Sequence, residues 1–156
     1  MSSAPGTAPA ELRPLTVEDV PQVFALERAV FPAEAWTEWM LREELTHPAG
    51  TYLGFWDGPQ LVAYGGIKGT LEGDLMTLGV LAPWRGQHLG RRLLLELISR
   101  VQARGMKRVF LEVRASNVAA ISLYHSVGFT DQGSIRNYYR SPREDALTML
   151  LEMDAL

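Results

Sequence analysis

Apolar residues along this chain follow two rhythms, and the change comes at Thr51. Before it the spacing is helical. Thr16 with Glu18 and Asp19 is a helix-start signal ahead of Val20, Val23, Phe24 and Val30, and Pro32 stops that helix. Thr37 caps a second helix carrying Met40, Leu41 and Leu45, which His47-Pro48-Ala49-Gly50 breaks. A short strand, Leu12 to Leu15, precedes both. After Thr51 come three β-rich runs, Thr51 to Trp56, Leu61 to Lys68 and Leu75 to Leu81, separated by Asp57-Gly58-Pro59 and by Gly69 to Asp74. Their order predicts an antiparallel meander.

The helical rhythm then returns. Leu89, Leu93, Leu97 and Val101, with Leu94 and Ile98, form one stripe of a helix over Leu89 to Ala103, and Gly105 stands where a left-handed cap is wanted. Arg108 to Arg114 reads as a strand, Asn117 to Val127 as a helix capped by Gly128, and Phe129 to Ile135 and Ala146 to Met153 as the last strands. The strands flanking the long helix should be parallel, joined by a right-handed crossover. The expected fold is α+β, a mixed and mostly antiparallel sheet of six to seven strands with helices on both faces. One domain over residues 11–156 is expected, after a loose, small-residue, Pro-rich tail from Met1 to Ala10.

Composition narrows the chemistry. The 156 residues include no Cys, which excludes disulfides, Cys-ligated zinc and a covalent thioester on the protein, so an acyl transfer would have to be direct. His47, His88 and His125 are far apart and lack metal-ligand spacing, so no metal is expected. A net charge of −3 argues against a nucleic-acid binder. The absence of a long apolar run or a signal pattern points to the cytoplasm, with no membrane partner. Charge is unevenly divided: residues 1–81 are acidic and residues 82–156 basic. That suits a basic acceptor on one half and an anionic cofactor on the other, and equally suits two ordinary solvated faces.

Chemistry-bearing residues cluster after Val80. In the turn Arg85-Gly86-Gln87-His88-Leu89-Gly90, the glycines permit close backbone approach, Arg85, Arg91 and Arg92 bring positive charge, and the helix start offers unpaired N–H groups. Pyrophosphate fits such a turn, as does the plain start of a helix. Alternation along the strand puts Phe110, Glu112 and Arg114 on one face and Val109, Leu111 and Val113 on the other. Spacing alone leaves Glu112 open as a surface carboxylate, Tyr124 as a core aromatic, Asn117 as a helix cap and Tyr138-Tyr139 as a packed loop.

The glycine turn, followed by Glu112-Val113-Arg114-Ala115-Ser116-Asn117, Ala120, Leu123-Tyr124, Gly128-Phe129, Arg136-Asn137-Tyr138-Tyr139 and Glu144-Asp145-Ala146 with Met149, resembles the GNAT superfamily and within it the RimI group of protein N-terminal acetyltransferases. The resemblance covers roughly residues 10–153. It implies a GNAT fold that binds acetyl-CoA as cosubstrate through Leu78, Gly79, Val80, Arg85, Gly86, Gln87, His88, Leu89, Gly90, Arg91, Asn117 and Tyr124. It further implies Glu112 as general base and Tyr124 as general acid toward the departing thiolate. Phe31, Trp36, Arg136, Tyr138 and Tyr139 would lie beside the acceptor, for which the resemblance implies the N-terminal alanine of the eighteenth small-subunit ribosomal protein. A basic tail would suit the acidic Glu34, Glu38, Glu43 and Glu44, and a monomer or weak dimer is expected.

Three positions depart from the family pattern. His88 stands where the turn normally has its first glycine. The Phe-Pro-Trp-Ser corner is extended to Phe31-Pro32-Ala33-Glu34-Ala35-Trp36-Thr37, and the connection from Tyr139 to Glu144 is short.

Overall fold

The computed structural model describes residues 11–153, so the expected tail lies outside the described residues. Elements follow in the order β1 (Glu11–Pro14), α1 (Val20–Val30), α2 (Glu38–Thr46), β2 (Gly50–Asp57), β3 (Gln60–Gly69), β4 (Glu72–Val80), α3 (Leu89–Ala103), β5 (Arg108–Arg114), α4 (Val118–Ser126), β6 (Thr130–Arg140) and β7 (Arg143–Glu152). Among the described residues the sheet has seven strands in the order β1-β2-β3-β4-β5-β7-β6, and only the β4–β5 pair is parallel. That pair flanks α3, as the crossover argument requires.

Two apolar clusters cover the two faces. On one, α3 lays Leu93, Leu94, Leu97 and Val101 on Leu53, Phe55, Ala63 and Ile67. Burying each leucine contributes about 1.5–3 kcal/mol, which outweighs the modest intrinsic helix propensity of the segment. On the other face α1 and α2 bring Val23, Leu26 and Leu41 onto Tyr52, Trp56 and Tyr64. The Tyr52 ring lies over its cross-strand partner Gly66, where a Cβ would come within 2.1 Å of the ring. Thr37 caps α2 by accepting from the Met40 N–H, and Gly105 and Gly128 take the left-handed φ values of +99° and +109° after α3 and α4. No helix among the described residues is long and apolar enough to cross a membrane.

Two segments differ from expectation. The stretch Gly69 to Asp74 is not a long connection, because β4 already begins at Glu72, with Gly69 opposite Gly73 and Lys68 opposite Asp74. Glu72, Gly73 and Asp74 carry little β propensity; strand pairing on both sides, to β3 and to β5, overrides it. The last two strands are likewise longer, running to Arg140 and starting at Arg143, so Arg136 to Tyr139 lies on a strand. The β6–β7 ladder is interrupted between Ile135 and Tyr139, where Asn137 adopts φ +54°. This irregularity hides the period-2 signal.

Candidate active site

The parallel ladder between β4 and β5 is short. It pairs Glu72–Asp74 with Arg108–Phe110 and then stops, although β4 continues to Val80 and β5 to Arg114. The strands separate beyond that point. A cleft of about 1370 Å³ opens there, lined by Leu75 to Val80 on one side, by Leu111 to Arg114 on the other, and by the starts of α3 and α4. Such a volume exceeds that of an ordinary small-ligand pocket. It has room for an extended cofactor and the end of an acceptor together.

At the α3 end, the N–H groups of Leu89, Gly90 and Arg91 have no intrahelical acceptor, and His88 supplies no side-chain cap. A Cβ on Gly86 would meet nothing within 4 Å, and one on Gly90 only Val80 and Leu123 carbons at 3.7 and 3.8 Å, so the space before this turn is open. Arg85 donates through Nε to the Val80 carbonyl at 3.1 Å, and Arg91 through Nη1 to Ser126 Oγ at 2.6 Å, which fixes both guanidinium groups at the cleft wall. These residues fit a phosphate-bearing cofactor. Arg92 does not join them: its guanidinium lies over the Phe55 ring, 4.9 Å from the centroid. Gln87 is half-buried and absent from the cleft lining. Asn117 accepts from the Ala120 N–H at 3.2 Å, so its side-chain oxygen is committed to capping α4 and only its amide donors remain for a ligand.

His88 holds φ +63°, ψ +19°, in the left-handed region where a residue with a Cβ is strained. We therefore expect His88→Gly to stabilise the protein by about 1 kcal/mol in urea unfolding. An unchanged midpoint would mean that the imidazole makes compensating contacts.

Gly79, among the residues expected to bind the cofactor, also has a packing role. A Cβ there would press on the Phe31 ring at 3.1 and 3.2 Å and on Val30 at 3.2 Å. The glycine lets Phe31 seat on β4, which carries Phe31 to the cleft floor. Glu27, which sequence reasoning missed, holds the same corner. It is fully buried and accepts from Tyr64 Oη, from Thr77 Oγ1 at 3.3 Å and from the Trp36 N–H at 3.1 Å. Its signal was present: Glu27 interrupts the apolar stripe of α1 between Val23 and Val30. Trp36 thereby lines the cleft beside Phe31.

Glu112 projects from β5 into the cleft, while its neighbours Leu111 and Val113 are buried. Desolvation raises its pKa above the ordinary value near 4.5, the negative charge of Asp74 adds to the rise, and a hydrogen bond from Tyr138 opposes it. That bond is long, 3.4 Å from Tyr138 Oη to Glu112 Oε1. Asp74, another residue the sequence did not single out, is the register partner of Phe110, which puts it on the face that carries Glu112. Tyr124 is buried on α4 with its ring 5.7 Å from that of Phe129, and among the described residues its hydroxyl has no hydrogen-bond partner. Burial, and then the neighbouring Tyr139, push its pKa up to about 12. The site thus faces a carboxylate with raised proton affinity and an un-ionised phenol toward one cleft.

Tyr138 and Tyr139 also line the cleft, packed edge to face with centroids 5.0 Å apart. Arg136 is exposed and does not reach it. Of the four acidic residues expected to attract a basic tail, two are engaged internally. Glu34 pairs with Arg114, and Glu44 accepts from Tyr52 Oη at 2.6 Å and Lys68 Nζ at 2.9 Å.

Splayed strands over a glycine turn, with a helix start on either side, form a cleft with room for a phosphate-bearing cofactor beside an acceptor. The chain belongs to the acetyltransferase (GNAT) family, whose model matches residues 20–129, and is an acyltransferase. More narrowly, it is 39% identical over 149 residues, 92% of each chain, to the N-alpha-acetyltransferase RimI of Mycobacterium tuberculosis (strain ATCC 25618 / H37Rv). The crystal structure of the ribosomal-protein-S18-alanine N-acetyltransferase from Escherichia coli matches with a TM-score of 0.86 at 31% identity, over 94% of this chain and 96% of that one. A chain of the NatC complex bound to Gag peptide and CoA shares the fold, with a TM-score of 0.84 at 20% identity over 94% and 100% of the two chains.

Proposed function

We propose that this chain transfers the acetyl group of acetyl-CoA to the α-amino group of a protein N-terminus, with the N-terminal alanine of ribosomal protein S18 as the acceptor. The observation that carries the reading is the single cleft onto which Glu112, Tyr124 and the unpaired N–H groups of α3 all open. Names given to relatives, RimI and ribosomal-protein-S18-alanine N-acetyltransferase, support the acceptor class.

Bound acetyl-CoA supplies the acetyl thioester, and Leu89 to Arg91 with Arg85 would hold its phosphates. An α-ammonium has a pKa of about 7.7–8.0 and must lose a proton before its nitrogen can attack. Glu112 takes that proton, directly or through one water, and the raised affinity of its carboxylate favours the transfer. Tyr124 donates a hydrogen bond to the sulfur as charge develops on it. With its pKa near 12, against about 8.5 for a free thiol, the phenol stays protonated throughout the approach. Phe31 and Trp36, from the segment after α1, and Tyr138 and Tyr139, from β6, line the same cleft and would form an apolar slot beside the reacting amine.

The test compares two basic peptides, one with a free N-terminal alanine and one with that amine blocked and a lysine retained. Transfer to the free terminus alone is expected. Transfer to the blocked peptide would replace the reading with lysine acetylation, and transfer to neither would favour a small-amine acceptor or a non-catalytic CoA-binding module.

A further inference from the structure

Arg114 stands two residues beyond Glu112 on the same face of β5, and its guanidinium is among the most heavily engaged groups in the protein. Its side chain is only 19% exposed. Nη2 donates to Glu34, on the segment between α1 and α2, and to the Ser141 carbonyl at 3.4 Å. Nη1 donates to the Pro142 carbonyl at 2.9 Å and to Glu144 Oε1 at 3.2 Å, both in the β6–β7 hairpin. The guanidinium plane also covers the Tyr139 ring, 4.3 Å from its centroid. Glu144 spends its other oxygen on the Ser116 N–H at 2.6 Å, just before the Asn117 cap of α4.

These contacts join the segment between α1 and α2 to the β6–β7 hairpin. Phe31 and Trp36 belong to the segment that Glu34 anchors, and Tyr138 and Tyr139 belong to the hairpin that Glu144, Ser141 and Pro142 anchor. From Arg114 a chain of contacts runs through Tyr139 to Tyr138 and so to Glu112. We propose that Arg114 is a positioning residue that ties the two acceptor-side walls into one slot, and that the width of this slot sets the preference for a chain-terminal α-amine over a lysine side chain. This deepens the proposed function and rests on it. A planar fork with five donors can hold two carboxylates and two carbonyls at once, whereas a lysine ammonium keeps the charge and lacks the geometry.

The experiment uses the full chain as wild type, Arg114→Lys, Glu34→Gln and the double variant, with acetyl-CoA and the two peptides above. Arg114→Lys is expected to raise KM for the free-terminus peptide about tenfold, to leave KM for acetyl-CoA unchanged within about twofold, and to raise relative transfer to the blocked lysine peptide. Glu34→Gln should reproduce part of this, and the double variant should be no worse than Arg114→Lys, because both act on one tie. Fully additive effects, or an equal rise in both KM values, would overturn the proposal. Hydrogen exchange of residues 31–36 and 138–142 separates the two questions. Faster exchange of both segments in Arg114→Lys supports the tie whatever the acceptor proves to be, and unchanged exchange sinks it even where the wild type acetylates the free terminus.

Discussion

Glu112→Gln is expected to lower kcat by about 10²–10³-fold at neutral pH while changing either KM little, because the amide keeps the shape of the side chain and loses only the capacity to accept a proton. The pH profile carries the sharper signature. A base works only when unprotonated, so wild-type kcat/KM is retained above the pKa of Glu112 and falls as pH drops through it. Desolvation and Asp74 raise that pKa, which places the acidic limb above the ordinary carboxylate value near 4.5. In the variant this limb disappears. The rate then follows the free-base fraction of the acceptor itself and climbs through about pH 7.7–8.0. Steady-state rates between pH 5 and 9 decide the matter, and a variant with the wild-type profile would show that Glu112 only anchors Tyr138.

For Tyr124→Phe the expected loss is about 10²-fold in kcat, the usual consequence of deleting one donor aimed at developing charge. The ring is retained, and with it the packing on Phe129, so folding stability and acetyl-CoA affinity should hold. Because the hydroxyl has no partner among the described residues, its removal strands no other polar group, which makes the substitution unusually easy to interpret. Isothermal titration with CoA alongside kcat measures both halves. Turnover within a factor of about two of wild type would remove the phenol from the reaction.

How much of this was legible in the sequence depended on whether the signal was local. The stripe of α3 gave both its ends, since Leu89 to Val101 repeat at helical spacing and Gly105 marks the stop. Alternation along β5 correctly put Glu112 and Arg114 opposite the buried Val109, Leu111 and Val113. Polar strand segments such as Glu72 to Asp74 and Arg136 to Arg140 gave no such signal, because their β structure comes from partners distant in sequence. The same limit hid the role of Arg114, whose partner Glu34 is 80 positions away. Gly79 was visible as a glycine, yet its packing role against the ring of Phe31 rests on a tertiary contact. His88 could be singled out from the family pattern alone; that it would accept left-handed strain rather than reshape the turn could not.

The early end of the β4–β5 ladder also bears on how the cofactor-free protein behaves in solution. Among the described residues, one side of β4 from Leu75 to Val80 has no strand partner, and Arg85 covers the Val80 carbonyl there. Open edges are templates for pairing with other chains. A ligand lying along this one would cover it and would stabilise the fold by mass action. The unfolding midpoint is therefore expected to rise with the concentration of any ligand that seals this edge.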